Sequence, residues 1–279
     1  MADITVDGDL GGVGTQIIDS LIDCVDSVIA PWEQICSVLD FQGSAATVPW
    51  ASGLVEMRTV SEGTSPFLAG SEVDRPTQSE TLTPERMDCP IAVDRLALRD
   101  SAGLQAQILR SDFADAVSNY LSTSAITAIA AGAELTGGET SAATSLAKVM
   151  ATRGQLRSTG KCGSSDISAI WHPVAFASYL TLLGDAAKFE AAGRTANAGG
   201  TLVPWGGVMS MEDMNLTNNG TDYLSYMFAK KAVVLGWRQK PVITIRENPD
   251  GLSYFFNCQM SVGFVVTNGL WISTMPFVS

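Results

Sequence analysis

Apolar residues near the start of the chain recur at helical spacing. From Thr15 they fall on one stripe, while acidic residues fall mostly on the opposite side. The stripe consists of Ile17, Ile18, Leu21, Ile22, Val25, Val28 and Ile29. We predict a helix that Pro31 stops, or in which Pro31 starts the next turn, because a proline inside a helix removes a hydrogen bond. The apolar face continues beyond it with Trp32, Ile35, Val38 and Leu39. Two interpretations stay open: an ordinary surface helix, or an arm that docks on a neighbouring subunit.

The pattern changes near residue 44, where two extended segments flank a polar stretch. Thr47–Val60 alternates as a strand does, and Leu82–Leu98 forms a second predicted strand. Residues 61–80 are polar and rich in turn formers, and a structureless connection of that length is uncommon in a compact domain. We therefore predict a long hairpin that projects from the body. Because two strands alone are marginally stable in water, it needs a surface, and another copy of the chain is the nearest candidate.

The middle of the chain is dominated by predicted helices. Leu104–Ala131 is rich in alanine and has apolar residues at helical spacing, and Gly132 is expected to end this helix. Ser141–Ser158 predicts a second helix. A third is expected to start after His172-Pro173 and to run to Leu183.

Short apolar runs predict strands in the second half of the chain. Ile167–Trp171 reads as a buried strand, and residues 184–222 look rich in loops. The later predicted strands are Tyr223–Phe228, Ala232–Trp237, Val242–Arg246, Leu252–Val266 and Leu270–Thr274. Helices in the middle and strands at the end predict an α+β fold with antiparallel pairing.

Charge is scarce and unevenly placed. Only 16% of the 279 residues are charged, against a typical share of about 25%. The formal net charge is −12, and nine acidic but no basic residues precede Arg58. An apolar share of 46% excludes general disorder. The acidic balance argues against a basic patch that binds phosphates. The sequence has no run of roughly 20 apolar residues, so it predicts no membrane span. Small polar residues or partner subunits must therefore cover the surface.

Residues that could carry chemistry are few. His172 is the single histidine, so one chain cannot supply a site that needs two imidazoles; we expect it to hydrogen-bond the backbone at a helix start. The five cysteines form no C-x-x-C pair, and Gly8–Gly14 lacks the strand that a dinucleotide site requires. We predict no catalytic residue, no cofactor and no metal site. A hydrolase with an unrecognised site is the alternative from the enzyme class.

The order of the segments is similar to that of a known family. The segments that carry the likeness are Gly43–Pro49, Leu82–Val93, Leu98–Ser101, Ile170–Val174, Thr201–Ser210, Met227–Gly236, Pro241–Arg246 and Tyr254–Val266. Over roughly residues 28–277, this ordered set resembles the major capsid proteins of tailed bacteriophages with the Hong Kong-type shell fold.

The resemblance implies a division of the chain into five parts. They are an N-terminal arm at 1–40, an extended β-hairpin loop at 41–100, a peripheral domain with a long spine helix at 101–135, an axial domain at 136–250, and return strands of the peripheral domain at 251–279. It also implies hexamers and pentamers that tile an icosahedral head, assembled in the host cytoplasm, around double-stranded DNA that the shell does not bind specifically. An encapsulin-type nanocompartment shell, which packs a cargo enzyme, is the alternative with the same fold.

The resemblance also bears on partners and contacts. It implies a portal, decoration proteins, and either a separate scaffolding protein or none, with no membrane partner. Some members cross-link their subunits through a lysine in the extended loop, but residues 44–100 contain no lysine, so we expect no such bond. The residues expected to contact neighbouring subunits are Trp32, Trp50, Phe67, Leu68, Arg75, Arg86 and Trp205.

Overall fold

The computed structural model describes most of the chain as helices and strands packed around two sheets. The described residues are 11–51, 77–137, 144–160, 162, 167–186, 203–205, 208–218, 221–247 and 252–278. The helices are α1 (Gly11–Ile35), α2 (Arg95–Gly132), α3 (Leu146–Ser158) and α4 (Pro173–Ala186). The strands are β1 (Ser37–Asp40), β2 (Ala46–Ala51), β3 (Thr77–Leu82), β4 (Glu85–Asp94), β5 (Leu135–Thr136), β6 (Ile167–Trp171), β7 (Val203–Trp205), β8 (Val208–Glu212), β9 (Asp222–Ala229), β10 (Val233–Glu247), β11 (Ser253–Val266) and β12 (Ile272–Val278).

The first sheet has the strand order β1-β10-β11-β4. Its long central strands, β10 and β11, are antiparallel, and β4 pairs antiparallel with the other side of β11. The short β1 joins β10 in parallel. Side chains alternate between the two faces of a strand, and one face of this sheet packs against α2, which in turn packs against α1.

The second sheet has the strand order β5-β12-β9-β6-β8-β7. All five residues of β6 are buried, because β8 and β9 flank it and helices pack nearby. The Trp171 ring stacks on Tyr179 at 4.6 Å and on Phe277 at 5.3 Å between ring centroids. The mostly apolar sequence of β6 therefore reflects burial on both faces, as predicted for a buried strand.

Helix α1 packs on its own chain. Its stripe residues Leu21, Val25 and Ile29 belong to the main core that both sheets share. The predicted helix is confirmed, but the stop predicted at Pro31 is wrong: Pro31 lies inside α1, which continues to Ile35. Trp32 and Ile35 are buried beyond the proline, and their packing outweighs the single hydrogen bond that Pro31 removes. The apolar stripe of α1 therefore packs on its own chain, and docking of this segment on a neighbouring subunit stays a prediction.

The predicted hairpin exists, but it pairs different residues. β2 and β3 are antiparallel, in register from Ala46↔Leu82 to Ala51↔Thr77. Residues 77–80, predicted to be part of a polar connection, are therefore strand, while residues 52–76 lie outside the described part of the chain. Strand pairing is a non-local choice that the alternation of one segment does not determine.

The predicted strand Leu82–Leu98 is wrong as a single element. Its first residue ends β3, its middle forms β4 in the first sheet, and Arg95–Leu98 begin α2. Asp94 sets the last boundary, because its Oδ1 accepts the N–H groups of Leu96 at 2.7 Å and Ala97 at 3.3 Å. This is the geometry of a helix N-cap, so the chain turns from strand to helix without a loop.

The other helices follow their predictions with shifted ends. The helix predicted over Leu104–Ala131 is confirmed inside α2, which ends at Gly132 as expected and is kinked at Ser101. The helix predicted over Ser141–Ser158 begins only at Leu146, after the cap Ser145; residues 138–143 lie outside the described part. In the described part, no helix is both long and apolar enough to cross a membrane.

The C-terminal strands are largely as predicted, with two differences. The predicted strands Ala232–Trp237 and Val242–Arg246 form one strand, β10, which passes through register shifts opposite β11. Within the predicted loops of 184–222, β7 and β8 are strands that the sequence pattern missed. β12 pairs with β9 and β5 in the second sheet, although its residues were grouped with the peripheral strands.

Candidate assembly surfaces

The base of the β2–β3 hairpin is fixed to the first sheet. Leu82 is fully buried and forms a small cluster with Val48 of β2 and Val234 of β10. Leu235, the residue after Val234 in β10, belongs to the main core. Because adjacent strand residues point to opposite faces, the hairpin covers the face of the sheet opposite to α2. We call Val48, Leu82 and Val234 the seat cluster.

Two glycines make room for this crossing. Gly236 and Gly263 are directly opposite each other in β10 and β11. A Cβ on Gly236 would lie 2.6 Å from a methyl group of Leu82, and one on Gly263 would lie 2.8 Å from the carbonyl oxygen of Thr83. Side chains at either position would therefore collide with the hairpin base. We call this glycine pair the notch.

A second contact joins the hairpin to the body through aromatic rings. Trp50 of β2 meets Trp271 edge to face, with ring centroids 6.3 Å apart. Trp271 is itself held, because its Nε1–H donates to the Gly160 carbonyl oxygen at 2.5 Å and Lys231 Nζ lies 4.1 Å from its ring centroid. Edge-to-face pairs are favourable beyond the area they bury, so this contact orients the last described residues of β2.

A groove of about 340 Å³ lies between α1, α2 and the turn after β8. Its floor is a closed polar cluster: Asp213 Oδ1 accepts the Ser122 hydroxyl at 2.5 Å and the Asn215 N–H at 2.8 Å. The Asn215 side-chain amide donates to Ser122 Oγ at 2.9 Å. A buried carboxylate whose oxygen accepts two hydrogen bonds in this way stabilises the turn.

His172 has the local role that the sequence predicted. Its Nδ1 accepts the Val174 N–H at 3.3 Å at the start of α4, and its ring stacks on Tyr223 at 4.3 Å. Burial lowers the pKa of its imidazole, which favours the neutral form that can accept this hydrogen bond. Among the described residues, no three or more His, Cys, Asp or Glu side chains cluster in a way that could hold a metal ion.

The residues expected at subunit contacts have different environments. Trp32 is only 2% exposed and packs edge to face on Phe264, so its ring serves the core of its own chain. Arg86 is exposed on β4, with its guanidinium 3.5 Å from Gln259 Oε1. Trp50 is half-buried against Trp271.

The remaining expected contacts cannot be placed by their side chains. Trp205 lies in β7, opposite Val208 of β8. Phe67, Leu68 and Arg75 lie outside the described residues. Contact with neighbouring subunits stays a prediction for the set.

Some apolar residues are exposed where sequence reasoning did not expect them. Leu96, Leu104 and Ile108 of α2 are 65%, 58% and 44% exposed, whereas Leu109 is 1% exposed. The signal was present in the sequence, since apolar residues occur on more than one side of the first half of this helix. Leu104 and Ile108 are four residues apart and so lie on the same side of the helix, and neighbouring exposed apolar residues are typical of a contact surface.

No family model and no curated protein matches the sequence, but solved structures match over nearly the whole chain. The virus-like particle from Pyrococcus furiosus is 14% identical with a TM-score of 0.60, covering 94% of this chain and 98% of that one. The capsid of Ralstonia phage GP4 is 10% identical with a TM-score of 0.63, covering 88% and 86%. The capsid of a native GTA particle is 14% identical with a TM-score of 0.58, covering 100% and 95%.

The chain has the shell fold of phage capsid proteins. The predicted α+β class and the resemblance to the capsid fold are thereby confirmed. The division into arm, extended loop, peripheral domain and axial domain stays a prediction.

Proposed function

We propose that this chain is a major capsid protein that assembles as hexamers and pentamers into an icosahedral head around double-stranded DNA. The observation that carries the proposal is the mutual coverage with capsid chains: 88% of this chain and 86% of the Ralstonia phage GP4 chain align in one fold. The alignment spans most of both chains, which supports a role for this chain as a wall subunit.

The composition supports a tiling subunit. Interface cores are depleted in charge, and only 16% of this chain is charged. Exposed apolar residues on α2 would be covered in an assembly. The net charge of −12 suits a wall that encloses DNA without adhering to it, because like charges repel at short range.

The hairpin is the element that would overlap a neighbour. Its base is held by the seat cluster and by Trp50 on its own chain. The segment 52–76, which includes Phe67, Leu68 and Arg75, would extend from that base to an adjacent subunit. In this proposal a portal, decoration proteins and either a scaffolding protein or none complete the head, which assembles in the host cytoplasm and becomes part of the virion; no catalytic step or cofactor is involved.

A nanocompartment shell is the second candidate. The virus-like particle from Pyrococcus furiosus aligns over 98% of its own length and over 94% of this chain. Such a shell would enclose a protein cargo rather than DNA. The two candidates predict the same wall and different contents.

Electron microscopy of particles purified from the native source separates the candidates. We expect closed shells whose nuclease-resistant content is double-stranded DNA. Shells that contain a protein cargo and no protected DNA would replace the first candidate by the second. A chain that remains monomeric at all concentrations, in the presence of all products of its own operon, would contradict both.

A further inference from the structure

Four sulfur-containing residues lie on neighbouring rungs of one face of the first sheet. The register of β4 and β11 places Met87 opposite Met260 and Cys89 opposite Cys258, on two successive rungs of the same face. Cys258 and Met260 are 3% and 5% exposed, and Met87 and Cys89 are partly buried against the core. We call these four residues the sulfur face.

Cys89 and Cys258 form a hydrogen-bonded pair in the ladder, the type of pair in which the two residues are farther apart. An antiparallel ladder alternates between rungs with two hydrogen bonds and rungs with none. Pro90 has no N–H to donate to Asn257 opposite it, and β4 is an edge strand, so the Pro90 rung is one without hydrogen bonds. The adjacent Cys89–Cys258 rung is therefore hydrogen-bonded.

This width disfavours a disulfide. Cβ atoms on a hydrogen-bonded rung are about 5.5 Å apart, whereas a disulfide holds them at about 3.8 Å. Both cysteines are free thiols in the structure. A metal ion suits the spacing better, because metal–sulfur bonds of about 2.3 Å, as in zinc thiolates, let one ion lie between two sulfurs that cannot bond directly.

The chemistry of the ligands selects the metal. Thiolates and thioethers are soft ligands and favour copper(I), whereas structural zinc requires four nitrogen, sulfur or oxygen ligands and finds only two thiolates here. We propose that the sulfur face is a binding site for a soft monovalent metal ion of the copper(I) class. Cys89 and Cys258 supply the thiolates, and the thioethers of the neighbouring rung complete the coordination.

Protons leave as the metal binds. Burial raises the pKa of Cys258 to about 12, with the charge of Cys89 as a smaller cause. Burial first, then Asp112 and Asp88, raises the pKa of Cys89. Binding converts two thiol groups and one copper(I) ion into a bis-thiolate complex with one negative charge, and the two thiol protons go to the solvent.

Metal binding at this position would affect how firmly β4 is held to β11. β4 is the strand that leads from the hairpin to the long helix α2, and it is an edge strand whose partly buried Met87 and Cys89 offer an entry path. A bound ion would tie β4 to β11 through two metal–sulfur bonds in addition to the backbone ladder. The inference concerns a single chain and does not depend on the shell.

Anaerobic titration of the reduced full chain with copper(I), in competition with bicinchoninate, tests the site. We expect one ion per chain to be retained, with sulfur-only coordination at the copper X-ray absorption edge. Cys89→Ser and Cys258→Ser should each lower the affinity by more than the roughly 100-fold that loss of an outer-shell partner can cause. Met87→Leu and Met260→Leu, which conserve volume, should lower it less.

Cys24→Ser is the matched control, because Cys24 is also half-buried but lies on α1, with its Sγ donating to the Arg110 carbonyl oxygen at 3.6 Å. It should bind copper(I) as the parent does. Circular dichroism of each variant shows whether it is folded. If a serine variant is unfolded, the lower copper(I) affinity expected for the methionine variants still tests the site. Failure to compete with bicinchoninate, unchanged affinity in both cysteine variants, or a Cys89–Cys258 disulfide that forms in preference to metal binding would overturn the proposal.

Discussion

The two faces of the first sheet are covered in different ways. On one face, Phe256, Met260 and Val262 of β11 belong to a core that extends through α1, α2 and the second sheet. On the other face, the hairpin is held by the seat cluster, the notch and one tryptophan pair. The helix-covered face therefore carries the stability of the fold, while the hairpin-covered face holds a thin element in place with few contacts.

This contrast separates the part of the chain that stabilises the fold from the part to which the proposed function assigns contacts between subunits. Burial of apolar area drives folding at about 25 cal/mol per Å², and most of that area lies on the helix side. A two-stranded ribbon gains little by itself. Its position depends on a small number of fitted residues, so changes there should loosen the hairpin without unfolding the body.

The largest effect is expected on the helix-covered face. Phe256→Ala removes a ring that is 1% exposed in the main core, and it should lower the free energy of unfolding by about 4 kcal/mol. Chemical denaturation followed by circular dichroism measures the change. A decrease below about 1 kcal/mol would show that this face is not the stabilising one.

The second-largest effect is expected from a substitution in the seat cluster. Leu82→Ala empties the centre of the seat cluster and should weaken the hairpin by about 3 kcal/mol. Amide exchange of β2 and β3 should become faster, while exchange in β6 stays slow. Thr81→Ala changes an exposed residue of the same strand and is the control; equal effects of the two variants would contradict the seat.

Filling the notch should have a smaller effect in the same place. Gly236→Val places methyl groups where Leu82 lies, and the overpacking should cost about 2 kcal/mol. Gly154→Ala is the control, because nothing lies within 4 Å of its added Cβ and alanine favours the helix α3. Amide exchange in β2 and β3 should become faster in the Gly236→Val variant and stay at the parent rate in the Gly154→Ala variant. A neutral Gly236→Val variant would mean that the hairpin does not cross there.

The smallest effect is expected at the junction between the two faces. Asp94→Ala removes the cap that turns β4 into α2, and it should lower the stability by about 1 kcal/mol. Asp100→Ala, an exposed change within the same helix, should stay within about 0.5 kcal/mol of the parent. Thermal denaturation of both variants checks the difference, and equal melting temperatures would exclude a capping role for Asp94.

Local sequence patterns were sufficient to predict elements that are defined by periodicity or capping within a few residues. The long helix within α2, the buried strand β6 and the role of His172 at a helix start could be predicted, because periodicity and capping chemistry act over a few residues. The resemblance to the capsid fold came from the order of such elements along the chain.

Features that depend on contacts between distant segments could not be predicted from local sequence patterns. The pairing of β2 with β3, the notch at Gly236 and Gly263, and the burial of Trp32 all depend on which segments meet in space. Pro31 shows the same limit in another form, because only the packing of the residues after it explains why the helix continues. Tertiary contacts outweigh local preference at these positions.

Cryo-electron microscopy of the assembled particle tests the central claim most directly. The account predicts a closed shell of hexamers and pentamers in which the base of the hairpin rests on its own chain and residues 52–76 contact a neighbouring copy. A particle in which these residues contact only their own subunit, or a chain that forms no shell in its native context, would contradict it.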